Sequence, residues 1–203
     1  LLSGPNLNLL GERDPAVYGT ATLADHVGTA TAAAAAHGLV LEHLQTNHEG
    51  VLVDAIHAAR GRCAAIVINP GALTHYAWSL HDALDAFAGP VIELHLSDPK
   101  AREPWRHLSV VEPVAAATIS GRGGDGYRLA IETVAEMLDG LVLANDGRVR
   151  KLPNHVAIVR TDLPDSKVAL LIGGGSGHEP LFHGFVGKNM GDGAACGQVF
   201  AAP

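Results

Sequence analysis

Short apolar runs alternate with amphipathic segments along this chain. The most apolar run, residues 64–68, is Ala-Ala-Ile-Val-Ile and leads into Asn69-Pro70-Gly71, which stops a strand and starts a loop. A run this short and this apolar predicts a strand buried on both faces of a parallel sheet. Thr74 follows at a position where it could cap a helix over residues 78–86.

The same alternation continues through the first 138 residues. Further apolar runs predict strands at residues 1–3, 39–44, 91–95 and 116–120, the first being the tail of a longer strand. Helical segments are predicted at residues 23–37, after the capping-box spacing Thr46-x-x-Glu49, and at 127–138. Strands alternating with helices favour an α/β fold, a parallel sheet with helices on both faces. Residues 11–22, polar and punctuated by Gly and Pro, predict a long loop of the kind that forms lids.

Composition excludes several classes of protein. The 203 residues are 47% hydrophobic and 17% charged, which is typical of a globular chain, and the net charge of −7 argues against a nucleic-acid partner. Cys63 and Cys196 form neither a C-x-x-C pair nor a disulfide framework, so we expect reduced cysteines and a cytoplasmic location. The sequence contains no signal-peptide pattern and no apolar run of about 20 residues, so no membrane segment is predicted.

Polar residues follow three of the predicted strands. Because the carboxyl ends of parallel strands meet at one edge of a sheet, these residues are expected to share a crevice there. Glu93 and His95 are two positions apart on an extended strand and should therefore face the same side. The polar residues at this edge are Asn6, Asn69, His75, Glu93, His95 and Ser97.

Neither a cofactor nor a metal pattern is convincing. Gly121-x-Gly123-x-x-Gly126 satisfies the dinucleotide-binding spacing, but it follows the fifth predicted strand rather than the first. The remaining histidines provide no H-x-x-x-H pair on one helix face, so no metal site is predicted.

Residues 4–19, Gly-Pro-Asn-Leu-Asn-Leu-Leu-Gly-Glu-Arg-Asp-Pro-Ala-Val-Tyr-Gly, closely resemble the opening signature of the type II 3-dehydroquinate dehydratases. Residues 45–50, 68–75, 93–97 and 102–106 resemble further blocks of that family, in the family's order. The resemblance extends over residues 1–136. It implies a flavodoxin-like fold and a lyase of the shikimate pathway. Such an enzyme dehydrates 3-dehydroquinate by anti elimination through an enolate, without a metal or cofactor.

The resemblance also implies catalytic roles. Tyr18 would be the base that removes the proton next to the ketone, and Arg13 and Arg106 would favour its tyrosinate form. Asn6 would hold the water that steadies the enolate. His95, with Glu93 beside it, would be the general acid for the departing hydroxyl. The chemistry is reasonable, because a free tyrosine titrates near ~10 and two guanidiniums stabilise its anion, and because imidazole titrates near neutrality.

Substrate binding and assembly are implied in the same way. Asp82 would reach into the site of a neighbouring subunit, since family members assemble trimers into dodecamers. The residues that the resemblance assigns to substrate binding are Asn69, His75, Asp82, Leu96, Ser97 and Arg106.

A second pattern begins after residue 138. Residues 156–160 and 168–172 predict strands, and Gly173-Gly174-Gly175-Ser176-Gly177-His178 suggests an anion cradle without a Walker lysine. Residues 136–203 resemble the N-terminal part of the substrate-binding subunit of dihydroxyacetone kinases, which implies that Gly175 and His178 contact dihydroxyacetone. We therefore expect a dehydroquinase domain at 1–138 and a truncated kinase-like segment at 139–203. The alternative function is that of a dihydroxyacetone-binding kinase fragment, inactive alone.

Overall fold

The computed structural model describes residues 1–144, 149–151, 157–160, 171–175 and 193–197, with side chains described for residues 1–140. Its first part contains the strands β1 (Leu2–Ser3), β2 (Leu44–Gln45), β3 (Ile66–Asn69), β4 (Val91–Leu94) and β5 (Ala117–Ile119). They form one sheet in the order β2-β1-β3-β4-β5, and every pair is parallel. This is the strand order of flavodoxin-like folds, and it confirms the predicted fold class.

Helices cover both faces of the sheet and bury alternate residues of its strands. Ile66 and Ile68 of β3 pack in a core with the third and fourth helices, whereas Val67 between them packs with the second and fifth. The run at residues 66–68 is apolar throughout because each side chain meets a helix layer. The helices are α1 (Pro15–Tyr18), α2 (Leu23–Ala36), α3 (Glu49–Ala59), α4 (Trp78–Asp85) and α5 (Asp125–Ala144).

The second strand is shorter than predicted, and the end of α2 explains why. Gly38 has φ +68°, and the Leu39 N–H reaches back 2.9 Å to the Ala34 carbonyl. This six-residue closure uses the Leu39 N–H to end the helix. Residues 39–43 therefore lie outside the strand that the sequence predicted at 39–44.

Both predicted helix caps are wrong. The Thr46 hydroxyl accepts from the His48 N–H at 3.1 Å, and α3 begins after His48 without a side-chain cap. Thr74 is buried in a 3₁₀ helix (Gly71–His75), where its hydroxyl donates to Glu93. A capping box does open α2, where Thr22 and Asp25 exchange hydrogen bonds.

The predicted lid contains a short helix. Asp14 accepts from the Ala16 N–H at 3.0 Å and Pro15 occupies the first helical position, so a cap and a preset φ angle start α1. Tyr18 is the last residue of this four-residue helix, and Gly19 leaves it with φ +76°.

The second part of the chain contains β6 (Val149–Lys151), β7 (Ala157–Arg160), β8 (Leu171–Gly175) and β9 (Gly193–Gly197), in the order β6-β7-β9-β8. The run predicted at 156–160 matches β7. The glycines predicted to form a cradle lie instead within β8, paired with residues 195–197 of β9. His178 lies outside the described residues. Within the described part of the chain, no helix is long and apolar enough to cross a membrane.

Candidate active site

A pocket opens at the carboxyl ends of β1, β3 and β4, where the sequence predicted a crevice. All of the predicted site residues of the first part line it except Glu93, which lies behind His95, and Asp82. The lining residues are Pro5, Asn6, Leu7, Arg13, Tyr18, Asn69, Gly71, Ala72, His75, His95, Leu96, Ser97, Pro99, Arg102 and Arg106.

Two loops approach each other closely at the base of the pocket. The Gly4 N–H donates to the Asn69 carbonyl at 2.8 Å, and a Cβ on Gly4 would stand 2.5 Å from the Pro70 carbonyl oxygen. Gly4 must therefore lack a side chain for the loops after β1 and β3 to pack. Asn6 then adopts φ +65°, a conformation that Asn tolerates better than most residues.

Two guanidiniums converge on the Tyr18 hydroxyl. Arg13 donates to the phenolic oxygen through Nη2 at 3.1 Å and stacks over the ring at 4.1 Å. Arg102 donates to the same oxygen through Nη1 at 3.0 Å. Two cationic donors on one oxygen stabilise its anion, which is the form that a base requires.

The second guanidinium on Tyr18 belongs to Arg102, which corrects the predicted pairing with Arg106. The Arg106 Nε donates to Glu103 at 2.6 Å, and its guanidinium stacks 4.0 Å over the Trp105 ring. These local partners hold Arg106 at the pocket wall. Arg102 follows the 3₁₀ helix Pro99–Ala101, whose cap is Asp98, and faces the lid.

His95 and Glu93 form a buried pair, as their two-residue spacing predicted. The His95 Nε2 lies 2.8 Å from the Glu93 Oε1, and the Glu93 side chain is fully buried. Because Nε2 is engaged with the carboxylate, Nδ1 is the ring nitrogen left to serve the pocket. A carboxylate behind an imidazole stabilises its protonated form, which suits a general acid.

Hydrogen bonds keep the Glu93 carboxyl ionised despite its burial. Burial alone would raise its pKa, but the bond and charge of His95 and the hydroxyl bonds from Thr74 and Ser109 outweigh it and lower the pKa. Ser109 lies 2.9 Å and 3.0 Å from the two carboxylate oxygens.

The predicted substrate-binding residues lie in different surroundings. Asn69 is buried at the end of β3, and Leu96 and Ser97 follow β4. The His75 Nδ1 lies 2.7 Å from the Leu108 carbonyl, and its ring meets Trp105 edge-on. Asp82 is exposed on α4, away from the pocket of its own chain.

Comparison with known families identifies the first part of the chain. The family model described as dehydroquinase class II matches residues 1–135. The chain belongs to the class II dehydroquinase family. A Pseudomonas putida protein named 3-dehydroquinate dehydratase 2 is 57% identical over 138 residues, 68% of this chain and 93% of the relative. The catabolic 3-dehydroquinase 1 of Aspergillus terreus is 52% identical over 145 residues, 71% of this chain and 95% of the relative.

Solved structures agree with this assignment. The crystal structure of a type II dehydroquinase from Propionibacterium acnes is 41% identical, with a TM-score of 0.64 over 66% of this chain and 93% of that one. The type II dehydroquinase of Butyrivibrio crossotus is 39% identical with the same TM-score and coverage. The model of the Dak1 domain matches residues 139–203, so the two-part composition predicted from the sequence is confirmed.

Sequence reasoning missed Arg102, Thr74 and Ser109 at this dehydroquinase site. Arg102 lies in the block that carries the family resemblance, but nothing in the spacing shows which arginine meets Tyr18. Thr74 and Ser109 contact Glu93 rather than the pocket. The sequence did offer one signal for Thr74 and Ser109. Glu93 is a carboxylate inside an otherwise apolar strand, and a buried carboxylate needs hydrogen-bond donors from neighbouring segments.

Glu93 should make the dehydroquinase part sensitive to acid. The pKa of Glu93 is lower in the folded chain than in the unfolded chain. Its contribution to stability is therefore fully present above the pKa of the unfolded chain, and it is lost as the pH falls through the pKa of the folded chain. Glu93→Gln should lower the free energy of unfolding by about 2–3 kcal/mol at pH 7 and should reduce the further loss of stability that the parent shows as the pH falls below about 4.5, the ordinary pKa of the group. Urea unfolding followed by tryptophan fluorescence reports this part, because both tryptophans, Trp78 and Trp105, lie in it.

Glu136→Gln is the matched control, since Glu136 is exposed on α5. It should keep the parent's free energy of unfolding both at pH 7 and below pH 4.5. Equal acid sensitivity in Glu93→Gln and the parent would show that other carboxyls carry the effect.

Proposed function

We propose that the chain is a 3-dehydroquinate dehydratase in which Tyr18 is the base and His95 the general acid. The observation that carries this proposal is that one pocket holds a Tyr18 oxygen with two guanidinium donors and an imidazole with a buried carboxylate behind it. Removal of a proton next to a ketone needs an anionic base, and loss of a hydroxyl as water needs an acid. Family membership supplies the substrate.

In this mechanism the Tyr18 oxyanion removes the proton next to the ketone, and the electron pair of that C–H bond forms an enolate. Asn6 holds the water that steadies the enolate oxygen. The enolate then re-forms the ketone and expels the hydroxyl group on the opposite side, which takes a proton from His95 and leaves as water. Tyr18 has gained one proton and His95 has lost one, so exchange with solvent restores both groups.

The remaining pocket residues orient the substrate in this proposal. Its carboxylate and hydroxyls would meet Asn69, His75, Leu96, Ser97 and Arg106, with the Leu96 backbone N–H among the donors. The product belongs to the shikimate pathway. The relatives include both 3-dehydroquinate dehydratases and catabolic 3-dehydroquinases. A cytoplasmic location is part of the proposal, and the free thiol of Cys63 suits a reducing compartment.

Assembly into trimers and a dodecamer is also part of the proposal. Trp78 and Asp82 are one helical turn apart on α4 and therefore share a face. Trp78 is 59% exposed and its neighbour Tyr76 is 61% exposed, which is unusual for large aromatic residues and favours a covered surface. A neighbouring subunit on this face would bring Asp82 to a second pocket.

We propose no separate activity for residues 139–203. The predicted kinase-like contacts were Gly175 and His178; Gly175 ends β8, and His178 lies outside the described residues.

Tyr18→Phe should abolish turnover and leave the fold intact, because it removes the oxygen that accepts the proton. The assay follows the ultraviolet absorbance of the conjugated enone product, and circular dichroism checks the fold. Tyr76→Phe removes a hydroxyl outside the pocket and keeps the aromatic ring on the proposed subunit face, so it should retain the parent's activity. Activity of Tyr18→Phe within about tenfold of the parent, the size of a single weak contact, would remove Tyr18 from the base role.

Arg102→Ala should lower kcat at neutral pH by about ten- to a hundredfold, because a charge-assisted bond to the Tyr18 anion is lost. The loss should shrink as the pH rises, since deprotonation of tyrosine then needs less help. Arg106→Ala should act mainly on KM without this pH-dependent recovery, because Glu103 and Trp105 occupy its guanidinium. Steady-state pH profiles measure both effects. A pH-dependent loss of kcat in Arg106→Ala, with mainly a KM effect in Arg102→Ala, would show that Arg106 and not Arg102 supports the Tyr18 anion.

The purified chain should have the mass of a trimer or of a dodecamer, because Asp82 would otherwise face solvent beside exposed aromatic residues. Light scattering coupled to size-exclusion chromatography measures this mass. An active monomer would contradict the proposed role of Asp82 in a neighbouring site.

A further inference from the structure

Glu93 receives hydrogen bonds from four side chains, of which the bond from Thr118 is the longest at 3.4 Å. Thr74 donates to Oε1, Ser109 lies 2.9 Å from Oε1 and 3.0 Å from Oε2, and the His95 Nε2 lies 2.8 Å from Oε1. Thr74 and Ser109 do not line the pocket that holds Tyr18. They line a separate cleft on the other side of the Glu93–His95 pair.

The hydrogen of the Ser109 hydroxyl has a fixed direction. The Ser109 oxygen accepts from the Val111 N–H at 3.0 Å and from the Glu112 N–H at 2.8 Å. A hydroxyl has two acceptor positions and one proton. Both acceptor positions are filled by backbone groups, so Ser109 can only donate, and its proton goes to the charged Glu93 carboxylate in preference to the neutral Thr74 oxygen 2.8 Å away.

Thr74 must then donate to Glu93 as well. Its oxygen is 2.8 Å from the Ser109 oxygen, but Ser109 has no acceptor position left for the Thr74 proton. Thr74 is also tied to the Ser109 segment through its carbonyl, which accepts from the Val110 N–H at 2.7 Å. The two hydroxyls are therefore oriented toward the carboxylate before any substrate binds.

This arrangement selects one protonation state of the pair. A carboxylate that receives two hydroxyl protons acts only as an acceptor, which is the behaviour of the ionised form. A protonated Glu93 could still accept from both hydroxyls while donating to His95, but each of these hydrogen bonds is stronger to the ionised form, so together they favour the carboxylate. The ionised carboxylate in turn favours the protonated form of the His95 ring beside it.

We propose that Thr74 and Ser109 are positioning residues that hold Glu93 ionised and thereby favour the protonated form of His95, the general acid of the proposed dehydratase. The inference rests on that proposed function for its catalytic consequence, but the arrangement of donors stands without it. Neither hydroxyl touches the substrate pocket, so both act through Glu93.

The other charged groups of the cleft that Thr74 and Ser109 line form their hydrogen bonds or ion pairs with residues other than Glu93. Lys100 pairs with Glu112 at 2.9 Å, and both are exposed, so this pair is screened by solvent. Asp98 accepts from the Lys100 N–H, Arg106 pairs with Glu103, and the His107 ring contacts the Arg102 carbonyl. His95 is the one ionisable side chain hydrogen-bonded to Glu93 among the described residues.

The test is a titration of Glu93 in the full chain carrying ¹³C-carboxyl glutamate, with Glu93→Gln used to assign its signal. Thr74→Val and Ser109→Ala should each raise the Glu93 pKa by about one unit, a tenfold change in its protonation equilibrium. In the assay, kcat should fall by about tenfold with KM within about twofold, since acid strength and not binding is affected.

Two variants separate a positioning role from a structural one. Thr74→Ser keeps the hydroxyl and should restore both the Glu93 titration and kcat. Thr118→Val removes an exposed hydroxyl 3.4 Å from the Glu93 Oε2, which water can replace, and should leave both close to the parent. If Thr74→Val does not fold, Ser109→Ala, at a less buried position, provides the same measurement.

An unchanged Glu93 titration in folded Thr74→Val and Ser109→Ala would overturn the inference. So would a shift of equal size in Thr118→Val. Because the titration needs no substrate, a parent chain without dehydratase activity would refute the proposed function alone, while the shifted titration would still identify the two donors.

Discussion

A charged carboxylate buried inside a parallel sheet is the constraint on which the rest of the site depends. Glu93 is fully buried in β4, and an ion there is tolerated only when its hydrogen bonds are supplied. The donors come from the turn after β3, from the loop that precedes β5 and from the end of β4 itself. Satisfying Glu93 therefore fixes the loops around it, and those same loops form one wall of the pocket.

The proposed base and the proposed general acid are held in opposite ways. His95 is almost fully buried against the sheet, whereas Tyr18 is half-buried at the end of a four-residue helix between Gly11 and Gly19, both at positive φ. Short segments with few buried contacts open at little cost in free energy, and core strands do not. We therefore infer that substrate entry moves Tyr18, the proposed base, and leaves His95, the proposed general acid, in place. Arg13 lies on the same lid and would move with Tyr18, whereas Arg102 lies outside the lid and would stay in place.

The sequence predicted the sheet well because its signals there are redundant. An apolar run such as residues 66–68 indicates a strand buried on both faces. Gly38, at positive φ, is typical of the end of a helix such as α2. Single hydroxyls are different. Thr46 and Thr74 both had the spacing of a cap, and each bonds elsewhere. Thr46 accepts from a backbone N–H two residues along the chain, whereas the use of the Thr74 hydroxyl depends on the strand that lies beside it, which is a tertiary feature. The choice of Arg102 over Arg106 is of the same kind, since Glu103 lies near both guanidiniums and pairs more closely with that of Arg106.

The junction between the two sequence families lies inside one helix. The family matches end at residue 135 and resume at residue 139, and α5 runs without a break from Asp125 to Ala144. Val134 and Ala135 are buried in the first core, whereas Asp139 and Gly140 are exposed. Met137 and Leu138 still pack against that core, so the helix leaves the first core between the end of the first family match and the start of the second. Once a helix is nucleated, each added residue costs little. It can therefore continue past its own core and cross the junction between the two family matches without a linker.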